Sequence, residues 1–150
     1  MPQLGWSLEK TKWDKIDKIL KSNKWERISF NIDSKDSVKS NSGVYIFSIS
    51  SKSLSKNNPI NFFKTPIYIG HSINLRRRFI QHVKGNSDKN LRTQLKQFKR
   101  DVEFWFLMIE NKTTLELKTL EQQLIDLYGG QLNKINSIKE VEKPLKAKIL

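Results

Sequence analysis

Residues 102–109, VEFWFLMI, are the segment that most restricts how this chain can fold. Apolar side chains occupy almost every position, without the alternation of a strand that is half exposed to water. Such a run is typical of a strand buried on both faces, which lies in the interior of a sheet. A sheet with a strand of this kind needs other elements packed on it. The segment therefore predicts a layered domain with helices against a central sheet.

The rest of the chain supplies elements of both types. Four predicted strands are rich in Val, Ile and aromatic residues; they are 25–32, 43–50, 67–69 and 102–109. A short final strand is expected at 131–135. The predicted helices carry apolar residues at a spacing of three or four; they are 7–22, 74–84, 88–100 and 114–128. A polar connection at 51–66 separates the second and third strands. We expect an α+β fold with a small mixed or antiparallel central sheet flanked by helices.

The charge balance restricts the partners. Lys and Arg number 28 against 15 Asp and Glu, which gives a net charge of +13. A field of that sign attracts polyanions, of which nucleic acid is the commonest in a cytosol. A solvated basic surface without a specific partner is the alternative. The absence of cysteine excludes disulfides, thiolate zinc sites and cysteine nucleophiles.

The sequence shows no sign of a membrane or secretory protein. No apolar stretch approaches the roughly 20 residues that a membrane-spanning helix needs. Residues 1–12 lack the basic head, apolar middle and small-residue cleavage site of a signal peptide. We therefore expect a cytoplasmic protein that does not bind membranes.

Glu121 interrupts an apolar helix face. It lies four residues after Leu117 and three before Leu124, within the stripe that should face the sheet. A carboxylate on a buried face costs several kcal/mol unless it is paired or binds a cation. One interpretation is a residue at the edge of the stripe that pairs with a lysine. The other is a metal ligand or general base.

Four further residues are unusual for their positions. His82 lies on the apolar side of its helix, and Arg78 precedes it by one turn. Arginine binds phosphate oxygens in a bidentate manner, and the helix N-terminus after Gly70 offers further N–H donors. Tyr45 and Tyr68 lie in two strands joined by the polar connection. Simple packing explains each residue alone, whereas a shared phosphate-binding pocket explains them together.

These residues belong to a recognisable series of motifs. GVY at 43–45, YIG at 68–70, GHSINLRRRFIQH at 70–82 and LEQQLIDLYGGQLN at 120–133 resemble the GIY-YIG nuclease family in content and order. The resemblance covers roughly residues 43–136. It departs from the family in three ways: Val44 replaces the usual Ile, His71 stands where repair-type members often have Lys, and the 46–67 connection is unusually long.

The resemblance implies a role for each unusual residue. Tyr45 matches the family tyrosine that contacts the attacking water and acts as its base, and Tyr68 matches the second motif tyrosine. Arg78 matches the arginine that holds the scissile phosphate. His82 matches a histidine of the homing-endonuclease branch. Glu121 matches the single acidic metal ligand.

The resemblance thus implies an endonuclease that hydrolyses DNA phosphodiesters with one Mg²⁺ or Mn²⁺ held by Glu121. The expected substrate-binding residues are polar or basic; they are His71, Lys84, Lys89, Arg92, Lys96 and Asn133. Branched or structured DNA and RNA are both compatible targets, and a monomer and a homodimer both stay open. A catalytically inactive nucleic-acid-binding protein on the same scaffold is the main alternative.

Three regions are expected along the chain. Residues 1–42 supply the N-terminal helix and lead-in strand, as part of the same unit as the nuclease-like region 43–136. Residues 137–150 form a charged C-terminal tail.

Overall fold

The computed structural model describes residues 10–22, 24–50 and 65–128. Its helices are α1 (Lys10–Ser22), α2 (Leu75–Val83), α3 (Lys89–Gln97) and α4 (Thr114–Tyr128). Its strands are β1 (Glu26–Ser29), β2 (Gly43–Ile49), β3 (Thr65–Ser72) and β4 (Val102–Met108). Two short 3-10 helices lie at Ile32–Ser37 and Lys99–Asp101.

The four strands form one antiparallel sheet in the order β1-β4-β2-β3. This arrangement confirms the predicted α+β class. It also places β4 in the interior of the sheet, as its almost entirely apolar sequence predicted. β3 pairs only with β2 within the described residues, so it forms an edge of the sheet there.

The two faces of the sheet carry separate cores. On one face, Phe47 and Phe104 pack with Phe79 of α2 and Leu91 of α3. On the other face, Val44 and Leu107 pack with Leu124 of α4; Ile69 of β3 belongs to the same core. Helices thus cover both faces, and residues that alternate along one strand contribute to different cores.

Local side-chain hydrogen bonds fix where three helices begin. Asn74 accepts a bond from the backbone N–H of Arg77, and Asp88 accepts from the N–H groups of Asn90 and Leu91. Thr113 and Glu116 form a reciprocal capping box, in which each side chain accepts from the other's backbone N–H. α2 therefore begins directly after β3, and this places its basic first turn beside the end of the YIG motif.

The lead-in strand is shorter than predicted. It ends at Ser29 rather than at residue 32, and the first 3-10 helix begins at Ile32. The chain turns away from β4 there, because the N–H of Asn31 bonds to the carbonyl of Ser29. Ile32 is consequently 42% exposed instead of facing the core. The predicted strand 131–135, most of the 51–66 connection and the tail lie outside the described residues.

The membrane prediction concerns only helices that the structure describes. Within residues 10–22, 24–50 and 65–128, no helix combines the length and apolar character needed to cross a bilayer.

Candidate active site

The register of β2 and β3 brings the two motif tyrosines together. Tyr45 lies opposite Gly70, and Phe47 lies opposite Tyr68, so the two phenol rings are diagonal neighbours on one face. Their centroids are 6.2 Å apart in a stacked arrangement. A Cβ atom on Gly70 would lie 2.5 Å from both Cζ and Oη of Tyr45. The glycine is therefore required for the Tyr45 ring to lie across β3.

His82 holds the hydroxyl of Tyr45. Its Nε2 lies 2.9 Å from Tyr45 Oη, and its Nδ1 lies 2.6 Å from Ser87 Oγ. The ring is 2% exposed. Burial first, and the charge of Arg78 second, lower the pKa of His82 from 6.5 to about 3. The imidazole is therefore neutral near pH 7, with one nitrogen donating a hydrogen bond and the other accepting one.

The pKa values of both tyrosines are shifted upward. Burial is the largest cause of the raised pKa of Tyr45, and Tyr68 adds to it, while a hydrogen bond from Arg78 opposes the rise. Burial also raises the pKa of Tyr68, followed by the charge of Glu121. Both phenols are consequently protonated at neutral pH, and Arg78 is the nearby group that favours their ionised forms.

Arg78 projects from α2 beside the tyrosines. Its Nη1 donates to Gln81 Oε1 at 3.1 Å and to the carbonyl oxygen of Asn86 at 3.4 Å. Both partners are neutral acceptors, and the side chain is half-buried. The guanidinium is thus held by its surroundings while it retains the planar set of N–H donors that binds phosphate.

Glu121 approaches the same strand from the other face of the sheet. It lies on α4, which packs against β3, and its Oε2 contacts Nδ1 of His71 directly. Their side chains are 17% and 25% exposed. The charge of Glu121 also raises the pKa values of Tyr45 and Tyr68, so its carboxylate lies within electrostatic reach of both phenols. Groups from both faces therefore meet at the β3 edge.

The Glu121 carboxylate at this edge is the type of ligand that a hard divalent cation prefers. Among the residues that the structure describes, no group of three or more His, Cys, Asp or Glu side chains is arranged to hold a metal. A cation here would have Glu121 as its carboxylate ligand, with most positions left to water and phosphate oxygens. Mg²⁺ and Mn²⁺ accept such a shell, since Mg²⁺ commonly keeps several waters when one or two carboxylates bind it.

The basic residues that were predicted to bind substrate lie on the surface of α2 and α3, next to His82. Lys84, Lys89, Arg92 and Lys96 are all exposed, at the end of α2 and along α3. Three of them line a cleft of about 500 Å³ that extends to His82. Asn133 lies outside the described residues. None of these four basic residues contacts the tyrosines in a described hydrogen bond.

Sequence reasoning did not identify two residues that support this site. Ser87 bonds to His82 from the loop after α2, and Gln81 accepts from Arg78. Gln81 lies three positions after Arg78, a spacing at which helical side chains meet. The sequence could therefore have predicted the contact between them. Ser87 lies in an irregular loop, where no periodic signal points to a partner.

Comparison with known proteins agrees with this geometry. The family model described as the GIY-YIG catalytic domain matches residues 41–136 of the 150-residue chain. A search of curated proteins gave no match. The matched region contains β2, β3 and the helix α4, which carries Glu121. It also contains Tyr45, Tyr68, Arg78 and His82. The chain therefore belongs to the GIY-YIG family of nucleases.

Proposed function

We propose that this protein is an endonuclease that hydrolyses phosphodiester bonds of DNA with the help of one divalent cation, Mg²⁺ or Mn²⁺. The observation that supports the proposal is that Tyr45, His82, Arg78 and Glu121 lie close together at one edge of the sheet. Tyr45 bonds to His82 at 2.9 Å, Arg78 acts on the same phenol, and Glu121 lies across the β3 edge.

Arg78 is the proposed phosphate ligand. Its two described bonds to Gln81 and Asn86 both start from Nη1. The guanidinium also donates to Tyr45, and its five N–H groups have the fork geometry that matches two phosphate oxygens. The scissile phosphate would bind to this guanidinium. The guanidinium would then stabilise the additional negative charge that the phosphate oxygens acquire in the transition state. Such stabilisation is typically worth about 3 kcal/mol, or a hundredfold or more in rate.

Tyr45 and His82 are the proposed base. The phenol is protonated at neutral pH, so it does not act as a free phenolate. Tyr45 Oη instead accepts the proton of the attacking water as its own proton passes to Nε2 of His82. This requires the tautomer in which Nδ1–H donates to Ser87 Oγ, the other partner of the ring.

Substrate binding strengthens this base. The charge of Arg78 is the second cause of the low pKa of His82. A phosphate anion on Arg78 offsets that charge, which raises the proton affinity of the imidazole when substrate is present. Glu121 would hold the divalent cation, which would supply Lewis-acid stabilisation of the negative charge on the leaving oxygen.

The exposed basic residues of α2 and α3 are proposed to hold the flanking backbone. Lys84, Lys89, Arg92 and Lys96 contribute charge without base-reading geometry, and phosphate contacts of this kind bind with little sequence preference. The N-terminal region is proposed to be part of the same unit. This is supported by β1, which pairs along its length with the central strand β4.

A plasmid-nicking assay tests the proposal. The protein is incubated with supercoiled plasmid and Mg²⁺ or Mn²⁺, next to the variants Arg78→Ala and Glu121→Gln. We expect metal-dependent nicking that falls by about a hundredfold or more in both variants. Arg77→Ala is the matched control, because Arg77 precedes Arg78 on α2 and is exposed. Asp126→Asn is the control for α4.

Three results would contradict the proposal or the role of Arg78 in it. Wild-type protein that binds plasmid in a gel shift but does not cut it with either metal would support the inactive nucleic-acid-binding alternative. A protein that shifts neither DNA nor structured RNA at low salt would exclude both nucleic-acid functions. Equal losses in Arg77→Ala and Arg78→Ala would remove Arg78 from its proposed role.

A further inference from the structure

His71 makes a contact that the proposed reaction does not use. It follows Gly70 on β3, and its Nδ1 meets Oε2 of Glu121, fifty positions later in the chain. Each side chain keeps about a fifth of its surface exposed, at 25% and 17%. Both side chains are therefore partly accessible to solvent, unlike the 2% exposed His82.

The two residues are held on regular elements. His71 lies in β3 opposite Val44, whose side chain is fully buried. Glu121 lies in α4 between the buried Leu117 and Leu124. α4 packs on β3, so the separation of the two side chains is set by the helix–sheet core rather than by a loop. This rigidity favours a preformed pair of donors over a chance contact between surface side chains.

We propose that His71 is a second protein ligand of the catalytic cation, binding through Nδ1 beside the carboxylate of Glu121. The inference rests on the proposed function, and it extends the site from one oxygen ligand to a mixed nitrogen and oxygen pair. Coordination at Nδ1 requires the tautomer whose hydrogen is on Nε2.

A mixed pair changes which cation the site prefers. Carboxylates and water suit Mg²⁺, whereas imidazole binds transition metals better, and affinities rise along the series from Mn²⁺ towards Cu²⁺. His71 should therefore raise the affinity for Mn²⁺ and Zn²⁺ and leave that for Mg²⁺ nearly unchanged. The competing explanation is a positioning residue, in which Nδ1–H only donates a hydrogen bond that orients Glu121.

The histidine content of the chain allows a direct test. The sequence contains two histidines, His71 and His82. Ring-¹⁵N labelling of the full-length protein therefore gives two imidazole spin systems, and His82, which bonds to Tyr45 and Ser87, serves as an internal reference. On titration with Zn²⁺ without DNA, we expect the Nδ1 resonance of His71 to shift and the His82 resonances to stay.

Affinity measurements separate a ligand from a positioning residue. Mn²⁺ and Mg²⁺ binding is measured by calorimetry for wild type, His71→Ala, His71→Asn and Glu121→Gln. Asparagine keeps a donor amide near the position of Nδ1 but has no imidazole nitrogen. We expect His71→Asn and His71→Ala to lose about tenfold in Mn²⁺ affinity with little change for Mg²⁺. Glu121→Gln should weaken both metals.

Three outcomes overturn the inference. The first is a His71 ring that shows no Zn²⁺-induced shift. The second is recovery of wild-type Mn²⁺ affinity in His71→Asn but not in His71→Ala, which identifies a positioning hydrogen bond. The third is an equal loss for Mn²⁺ and Mg²⁺ in both variants.

The proposed function fails in a different way from this inference. Nicking that requires Glu121 but not the imidazole of His71 leaves the nuclease proposal intact and removes the second ligand. Metal binding through both residues in a protein that never nicks DNA leaves the metal site and removes the nuclease.

Discussion

Replacement of Gly70 by alanine should damage the site more than the fold. The added Cβ would lie 2.5 Å from Cζ and Oη of Tyr45. Carbon atoms in contact normally stay about 3.5–4.0 Å apart, so roughly an ångström of overlap must be relieved. The ring has little room to move, because its centroid lies 5.3 Å from that of Phe104 and 5.8 Å from that of Phe47.

The two consequences have different sizes. Overpacking of a tight core usually costs about 1–3 kcal/mol in the free energy of unfolding, and we expect Gly70→Ala to fall in that range. Relief of the overlap shifts the phenol of Tyr45 by a large part of an ångström and strains its bond to His82. Misplacement of a reacting group by about 1 Å can cost on the order of a hundredfold in rate. The rate loss should therefore greatly exceed any loss from unfolded protein.

Gly85→Ala is the matched control. Gly85 has a φ of 85°, so alanine there is strained by about 1–2 kcal/mol. Its Cβ would meet only Cδ of Arg92, at an ordinary 3.6 Å. Urea unfolding gives the stability of both variants, and plasmid nicking is measured where both are fully folded. Nicking by Gly70→Ala at the rate of Gly85→Ala would refute the reasoning that Gly70 protects the position of Tyr45.

Three further predictions concern stability and binding. His82 has a folded pKa of about 3 against 6.5 unfolded, so the unfolded state binds more protons between these values and stability falls as pH falls. Between pH 6.5 and about pH 5, the free energy of unfolding measured in urea should fall by roughly 2 kcal/mol more in wild type than in His82→Gln. The same pH dependence in both proteins would contradict the low pKa of the buried His82. Phe79→Ala removes a fully buried ring and should cost about 3–5 kcal/mol by the same method, whereas Ile73→Ala, at a site 58% exposed, should change little. Arg92→Gln and Lys96→Gln should each reduce the salt dependence of DNA binding by about one counterion in a gel-shift series, and an unchanged slope would exclude these residues from the interface.

The local architecture was predictable from short stretches of sequence. The almost entirely apolar run at 102–109 indicated an interior strand, and β4 lies in the interior of the sheet. The helix starts predicted at residues 74, 88 and 114 lie within one residue of those in the structure, where Asn74, Asp88 and the Thr113–Glu116 pair cap the helices. These features depend on residues within about four positions of one another, so their physical causes are present in the sequence itself.

The end of the lead-in strand was not predictable in this way. Apolar residues continue to Ile32, yet the strand register ends at Ser29, Phe30 makes the last backbone bond to Val102 of β4, and a 3-10 helix follows. Whether an apolar residue continues a strand depends on the length of the partner strand. Here Ser29 pairs with Glu103, one residue from the start of β4, so Ile32 has no strand residue opposite it.

For the candidate site, the sequence alone determined which residues belong to the family motifs: Tyr45, Tyr68, Arg78, His82 and Glu121. Only the tertiary structure decided how they meet. The β2–β3 register puts Gly70 under the Tyr45 ring, and the packing of α4 on β3 brings Glu121 against His71. These contacts join residues 25 and 50 positions apart, and no local pattern encodes such distances. Strand register and helix–sheet packing determine these contacts. Both depend on the energy of the whole core rather than on that of any one segment.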